Sequence, residues 1–219
     1  DWLTRRVKRS VLQSQDIRTI YNGIDTNVFH PHDRQESRAR FGLPPNKFLC
    51  GYMADNGVDN PFKGGDVIRG LTPLLRRLGF EMVEIGGKTV GTNHGTHSLG
   101  YLHDPQSVAV ALSSLDLFVY PTRADSFGLV VAEAMACGIP VIASDVGAMP
   151  ELIDDGKTGT LVAGHEANSF ARAISTLAAS PDLRNQMGKA ARQRCEDRFS
   201  ISTMLNAYYS LYTELATNR

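Results

Sequence analysis

Two carboxylates frame a short turn in the stretch "RADSFGLVVAEAMACGIPVIASDVG". Asp125 stands just before Ser126-Phe127-Gly128, and Glu133 lies eight residues further on. An apolar run joins them, and acids bordering a buried segment are costly unless something pairs with them. If a helix starts near Phe127, the backbone amides of Phe127, Gly128, Leu129 and Val130 are unsatisfied donors at its positive end. Gly128 lets a ligand approach them closely. Such an end suits an anion, a diphosphate above all. Glu133, one to two turns in, can face the same cleft, and a carboxylate accepts two hydroxyl hydrogen bonds at once, as a ribose diol requires. Asp125 then points at whatever the diphosphate carries, and the two acids grip opposite ends of one nucleotide sugar. The alternative from these residues alone is structural. Asp125 and Ser126 would simply cap the helix, and Glu133 would pair with a nearby Lys or Arg.

Placing those residues requires a rigid frame. Strand-like stretches run over 47–53, 80–87, 97–102, 116–122, 140–144 and 159–163, and helices are expected over 64–79, 104–115 and 127–138. Three more helices follow from about Glu166. Upstream, 2–12 reads as an amphipathic helix, 17–25 as a short strand entering a turn, and "FGLPPNK" as the end of a short helix. Strands alternating with helices of this length imply βαβ units and a parallel sheet. Near-continuous apolar strands such as "LFVY" imply a sheet covered on both faces. The expected fold class is therefore α/β: a doubly wound, Rossmann-like parallel sheet with extra C-terminal helices. Ligands of such sheets bind beyond the carboxyl ends of the strands, and Asp125 follows the strand that ends at Tyr120-Pro121.

Bulk properties narrow the function by exclusion. Among 219 residues, 23 basic side chains balance 23 acidic ones, so no global charge favours nucleic acid. A basic cluster of Arg5, Arg6, Lys8 and Arg9 reads as a solvated helix face, with an anionic membrane contact as the alternative. Cys50, Cys137 and Cys195 lie far apart without CxxC spacing, which points to a reducing compartment. Two Gly-Lys-Thr runs lack the glycine a P-loop needs five positions earlier, where Met82 and Glu151 stand. His94 and His97 have metal-like spacing, but no acid or cysteine joins them in sequence, and a mobile loop is expected there. No GxGxxG dinucleotide fingerprint and no G-x-S-x-G elbow is present.

The stretch "DSFGLVVAEAMACGIPVIASDVGAMPELIDDGKTGTLV", 125–162, resembles the C-terminal signature of retaining glycosyltransferase family 4, of GT-B fold. Weaker agreement extends to "NGIDTNVF", "FKGGD" and "DLFVYPT". The resemblance implies one half of a GT-B fold, the donor-binding half of a two-domain enzyme. It divides the chain into 1–21, from the end of an N-terminal domain and its connection; 22–199, a nucleotide-sugar-binding domain; and 200–219, a helix packing toward an absent N-terminal acceptor domain. It also implies roles for individual residues. Glu133 matches the glutamate that binds the donor ribose, and Asp125 takes the place of a glutamate that contacts the transferred sugar. Lys63 matches a phosphate-binding lysine, whose charge offsets that of the leaving diphosphate. Asp125, Glu133 and Lys63 are thus the expected catalytic residues. Phe127, Gly128, Leu129 and Val130 are expected to meet sugar and diphosphate through their amides, and Tyr101 and Leu102 to form the base pocket. Ala54 stands where the family has an arginine after the first strand, so either another residue supplies that charge or the site is weaker. Arg123 at the rim is the candidate substitute, with a solvated arginine as the alternative.

The implied activity is retaining transfer from a UDP- or GDP-linked sugar, without metal or other cofactor and without nucleic acid. The implied place is the cytoplasm, with a peripheral contact at the inner membrane face. Two alternatives remain. A non-catalytic nucleotide-sugar-binding module is favoured by Asp125 and Ala54, and a glycoside hydrolase with Asp125 and Glu133 as its acid pair leaves the phosphate cradle without a purpose.

Overall fold

The computed structural model describes residues 2–217. Seven strands form one sheet: β1 (Phe48–Met53), β2 (Phe80–Ile85), β3 (Val90–Asn93), β4 (Thr96–Leu99), β5 (Leu117–Tyr120), β6 (Val141–Ser144) and β7 (Gly159–Val162). Their order is β3-β4-β2-β1-β5-β6-β7, and every neighbouring pair is parallel except β3 with β4. The helices are α1 (Trp2–Val7), α2 (Arg34–Arg40), α3 (Gly65–Arg77), α4 (Pro105–Ser113), α5 (Leu129–Ala136), α6 (Met149–Leu152), α7 (Ala167–Ala178), α8 (Pro181–Phe199) and α9 (Ile201–Thr217).

Successive strand residues point to opposite faces, and both faces are apolar here. Leu49, Met53, Val83, Ile85 and Phe118 join one core with Leu112 of α4, Met135 of α5 and Phe199 of α8. Cys50, Tyr52, Met82, Leu117 and Val119 join the other with Leu71 of α3 and Phe170 of α7. The expected doubly wound α/β sheet is the one observed. One buried polar link supports it from below. Arg38 donates to Ser114 O, Pro45 O and Asp116 Oδ2 at 2.9, 2.7 and 2.8 Å, and Asp116 Oδ2 also accepts the Leu49 amide at 2.8 Å. Breaking such a pair strands a buried charge, so Arg38→Met is expected to cost about 3–5 kcal/mol, read as a lower urea midpoint.

Several local expectations fail for identifiable reasons. The first helix ends at Val7 rather than 12, because the Ser10 hydroxyl bonds the Val7 carbonyl at 2.7 Å and accepts the Leu12 amide, offering the backbone a turn instead. No strand forms over 17–25; Ile24 alone bridges Ser200, away from the sheet. The expected loop around His94 is the turn of a hairpin. His94 and Gly95, with φ of 48° and 78°, fill the two central positions between β3 and β4, where positive φ matches the strand twist. His97 lies on β4, and an acid does join it: Glu81 Oε2 is 2.6 Å from Nε2. The turn after β6 also contains α6, too short to announce itself by periodicity.

Candidate functional site

The chain leaves β1 for β2 on one side and β5 for β6 on the other, so the crevice at the carboxyl ends of β1 and β5 is the topological switch point. Two loops reach it. The loop after β1 carries Lys63 just before Gly64, whose φ of 75° turns the chain into α3. A Cβ on Gly64 would overlap the Pro121 carbonyl of the second loop, so the two loops touch through backbone. The loop after β5 carries Arg123, Asp125 and the Ser126-Phe127-Gly128 turn into α5.

The helix begins at Leu129, two residues later than expected. Asp125 Oδ1 first accepts the Phe127 amide at 3.2 Å, closing a turn, and Gly128 then takes a φ of 91° as N-cap. The Phe127 amide is therefore occupied, and its ring is buried between Tyr21 and Phe199, with centroids 6.2 and 5.8 Å away. The amides of Gly128, Leu129 and Val130 have no protein acceptor among the described residues, as the first turn of a helix dictates. Three of the four expected backbone donors are thus free.

Glu133 is the one ionisable residue of α5, and nothing in the protein pairs with its carboxylate among the described residues. Burial pushes its pKa up to about 7. It lines a cavity of about 270 Å³ together with Ala54, Tyr101, Leu102, His103 and Val130. The Tyr101 ring is exposed and lies 4.8 Å from the His103 ring. Tyr101, Leu102 and Glu133, expected separately in the sequence, thus line one cleft.

Asp125 and Lys63 meet each other. Lys63 Nζ lies 2.6 Å from Asp125 Oδ2, and the Tyr120 hydroxyl donates to the same oxygen at 2.8 Å. Burial alone would raise the Asp125 carboxyl, but Lys63, Tyr120 and the Phe127 amide outweigh it and hold it below the usual range. Tyr120 escaped the sequence reading. The signal was present: a tyrosine in an apolar strand needs a partner for its hydroxyl, and an acid stands five residues away. Arg123, the candidate second cation, is paired with Asp66 at 2.6 Å on an exposed face, the solvated alternative of the two readings.

A second cavity, about 380 Å³, lies at the amino ends of β5 and β6 and carries Arg34, Arg184, Lys189 and Arg192. Its arginines are already committed: Arg192 to Ala136 O, Arg184 to Leu177 O, and Arg34 to Asp116. Arg192 and Arg184 thus cap the C-termini of α5 and α7, and Arg34 balances a carboxylate. Among the described residues no three His, Cys, Asp or Glu side chains converge to hold a metal.

A seven-stranded, mostly parallel sheet flanked by helices on both faces is the Rossmann-like architecture of GT-B glycosyltransferase structures. Residues 88–194 match the family described as "Glycosyl transferases group 1". The chain therefore carries a group 1 glycosyltransferase domain. It is 34% identical over 176 residues to the D-inositol 3-phosphate glycosyltransferase of Mycobacterium marinum (strain ATCC BAA-535 / M), covering 74% of this chain and 37% of that protein. Among solved structures, sucrose-phosphate synthase from Thermosynechococcus elongatus superposes with a TM-score of 0.86 at 26% identity, over 100% of this chain and 57% of that one. HepE of Anabaena, solved in complex with UDP-glucose, superposes with a TM-score of 0.78 at 22% identity, over 90% and 57% of the two chains. The chain thus spans well under two thirds of these relatives. No helix among the described residues is long and apolar enough to cross a membrane.

Proposed function

We propose that this domain binds the donor in a retaining glycosyl transfer of the family 4 type, holding a UDP- or GDP-linked sugar. The observation that carries the reading is Glu133: a partly buried carboxylate without a partner among the described residues, in a cavity whose other wall offers Tyr101 for a base. Once ionised, such a group calls for hydrogen-bond donors that a ligand can supply, and a ribose diol supplies two. From there the diphosphate runs to the free amides of Gly128, Leu129 and Val130, with Lys63 as its cation. Asp125 faces the sugar beyond.

The protein's part in the reaction is electrostatic. Negative charge grows on the leaving diphosphate as the glycosidic bond breaks, and fixed amides and an ammonium meet it without reorganising. These groups cover the role a divalent cation would play, so no metal is required. The acceptor belongs to a second, N-terminal domain, and α9 packs against it. That helix exposes Leu205, Tyr209, Tyr212 and Leu215 and buries none of its residues in this domain, which supports the reading. The setting is cytoplasmic, with the basic cluster at Arg5, Arg6, Lys8 and Arg9 as a peripheral contact with anionic lipid.

Calorimetric titration of the chain with UDP, GDP and ADP, with and without EDTA, tests this. Metal-independent binding of one nucleotide is expected, weakened at least tenfold by Lys63→Ala. A folded chain that binds none of the three, alone or as part of a longer protein, would end the proposal.

A further inference from the structure

Resting on that donor-site reading, the geometry assigns Asp125 a second task. We propose that Asp125 is a specificity-determining residue that weakens the free nucleoside diphosphate relative to its sugar conjugate, so that spent donor leaves and fresh donor replaces it.

The argument starts from where the carboxylate is held. Asp125 Oδ2 sits 2.6 Å from the Lys63 ammonium, so any phosphate oxygen that reaches Lys63 must sit beside this carboxylate. Nor can the carboxylate swing aside freely. The Tyr120 hydroxyl holds Oδ2 at 2.8 Å and the Phe127 amide holds Oδ1 at 3.2 Å. Tyr120 is itself fixed in the core, 1% exposed and stacked on Phe118. The Asp125 side chain is 14% exposed, which limits screening by solvent.

The two ligands differ at this spot. A phosphomonoester-type terminal phosphate has its second ionisation near 6, so at neutral pH it carries close to one charge more than a phosphodiester-type one. In the free nucleoside diphosphate that extra charge lies on the terminal phosphate. In the sugar conjugate an ester takes its place, and the sugar hydroxyls can donate to Asp125. Two like charges held side by side in a partly desolvated site repel each other. After screening, one extra charge is worth about tenfold in affinity. Lys63 attracts both ligands; Asp125 tells them apart.

The test compares UDP with UDP-glucose, and GDP with GDP-mannose, by calorimetry on the native chain, Asp125→Asn and Asp125→Glu. Asparagine keeps the shape and removes the charge. It is expected to tighten the free diphosphate about tenfold while the conjugate gains less than about threefold, because one sugar contact is weakened. Glutamate restores the charge and is expected to keep the native ratio within about twofold. Tyr120→Phe, which keeps the carboxylate but removes one anchor, is expected to give part of the asparagine change. If the native chain binds a nucleotide pair and asparagine leaves the ratio unmoved, or lowers both affinities alike, this inference is overturned while the donor-site reading stands. If neither the native chain nor Asp125→Asn binds either pair, both are overturned.

Discussion

Glutamine in place of Glu133 is expected to give a domain that is more stable above pH 7 and has lost most of its hold on a nucleotide. Burial raises this carboxyl from 4.5 to about 7. Between those values the folded protein keeps a proton that the unfolded chain has released. Stability therefore falls as pH rises through the window and is level above it, by roughly 3 kcal/mol in all. Glutamine never ionises, although its own buried amide takes back part of the gain. The net expectation at pH 8 is about 2 kcal/mol of stabilisation, or roughly 4–8 °C for a chain of this size, vanishing near pH 4. Binding moves the other way. Hydrogen bonds to a charged acceptor contribute about 1.5–3 kcal/mol each, so the affinity for UDP or GDP should drop by roughly 10- to 100-fold. Thermal unfolding at pH 8 and pH 4, with titration at pH 8, reads both. Equal melting of the two proteins at both pH values would show that Glu133 is not strained by burial.

Alanine in place of Gly64 is the second large effect, and it acts through backbone. At a φ of 75° a side chain costs about 1–2 kcal/mol, and the new Cβ overlaps the Pro121 carbonyl, which has no rotamer to escape through. Together these come to about 3 kcal/mol. The two loops must part, and Lys63, the adjacent residue, moves with its loop. Denaturation should show the lost stability, and titration should show a nucleotide affinity at least tenfold weaker even at temperatures where the variant is fully folded. A stable variant with native affinity would mean that the loops do not need their contact.

Much of the frame was legible because its signals are local. "LFVY" and "PVIAS" are apolar on both sides of the chain and became β5 and β6, paired in the sheet interior. Asp104-Pro105 opened α4 where it should, with Asp104 accepting the Ser107 amide. Glu133 is singled out by its spacing and Tyr101 and Leu102 by the resemblance, and the three line one cavity. What stayed hidden depends on pairs far apart in sequence. Lys63 and Asp125 are 62 positions apart, and no local pattern says that they touch. Glu81 reaches His97 only because β2 and β4 lie side by side. Conversely, "NHGT" is a legible hairpin turn, and β3 was missed because its four residues are exposed and carry no apolar alternation.

The bridge between Ile24 and Ser200 has a mechanical meaning. Ile24 donates to Phe199 O at 2.7 Å and accepts from Ile201 at 3.0 Å, so the chain enters and leaves the folded body through one clasp. Gly23 fits there because a side chain would strike the Ile201 backbone. The two tails are also tied outside the clasp, Arg18 to Glu214 and the Tyr21 hydroxyl to Glu151. Residues 25–199 thus form a closed loop whose ends meet at the neck, and a pull on either tail is shared among these bonds before it reaches the strands.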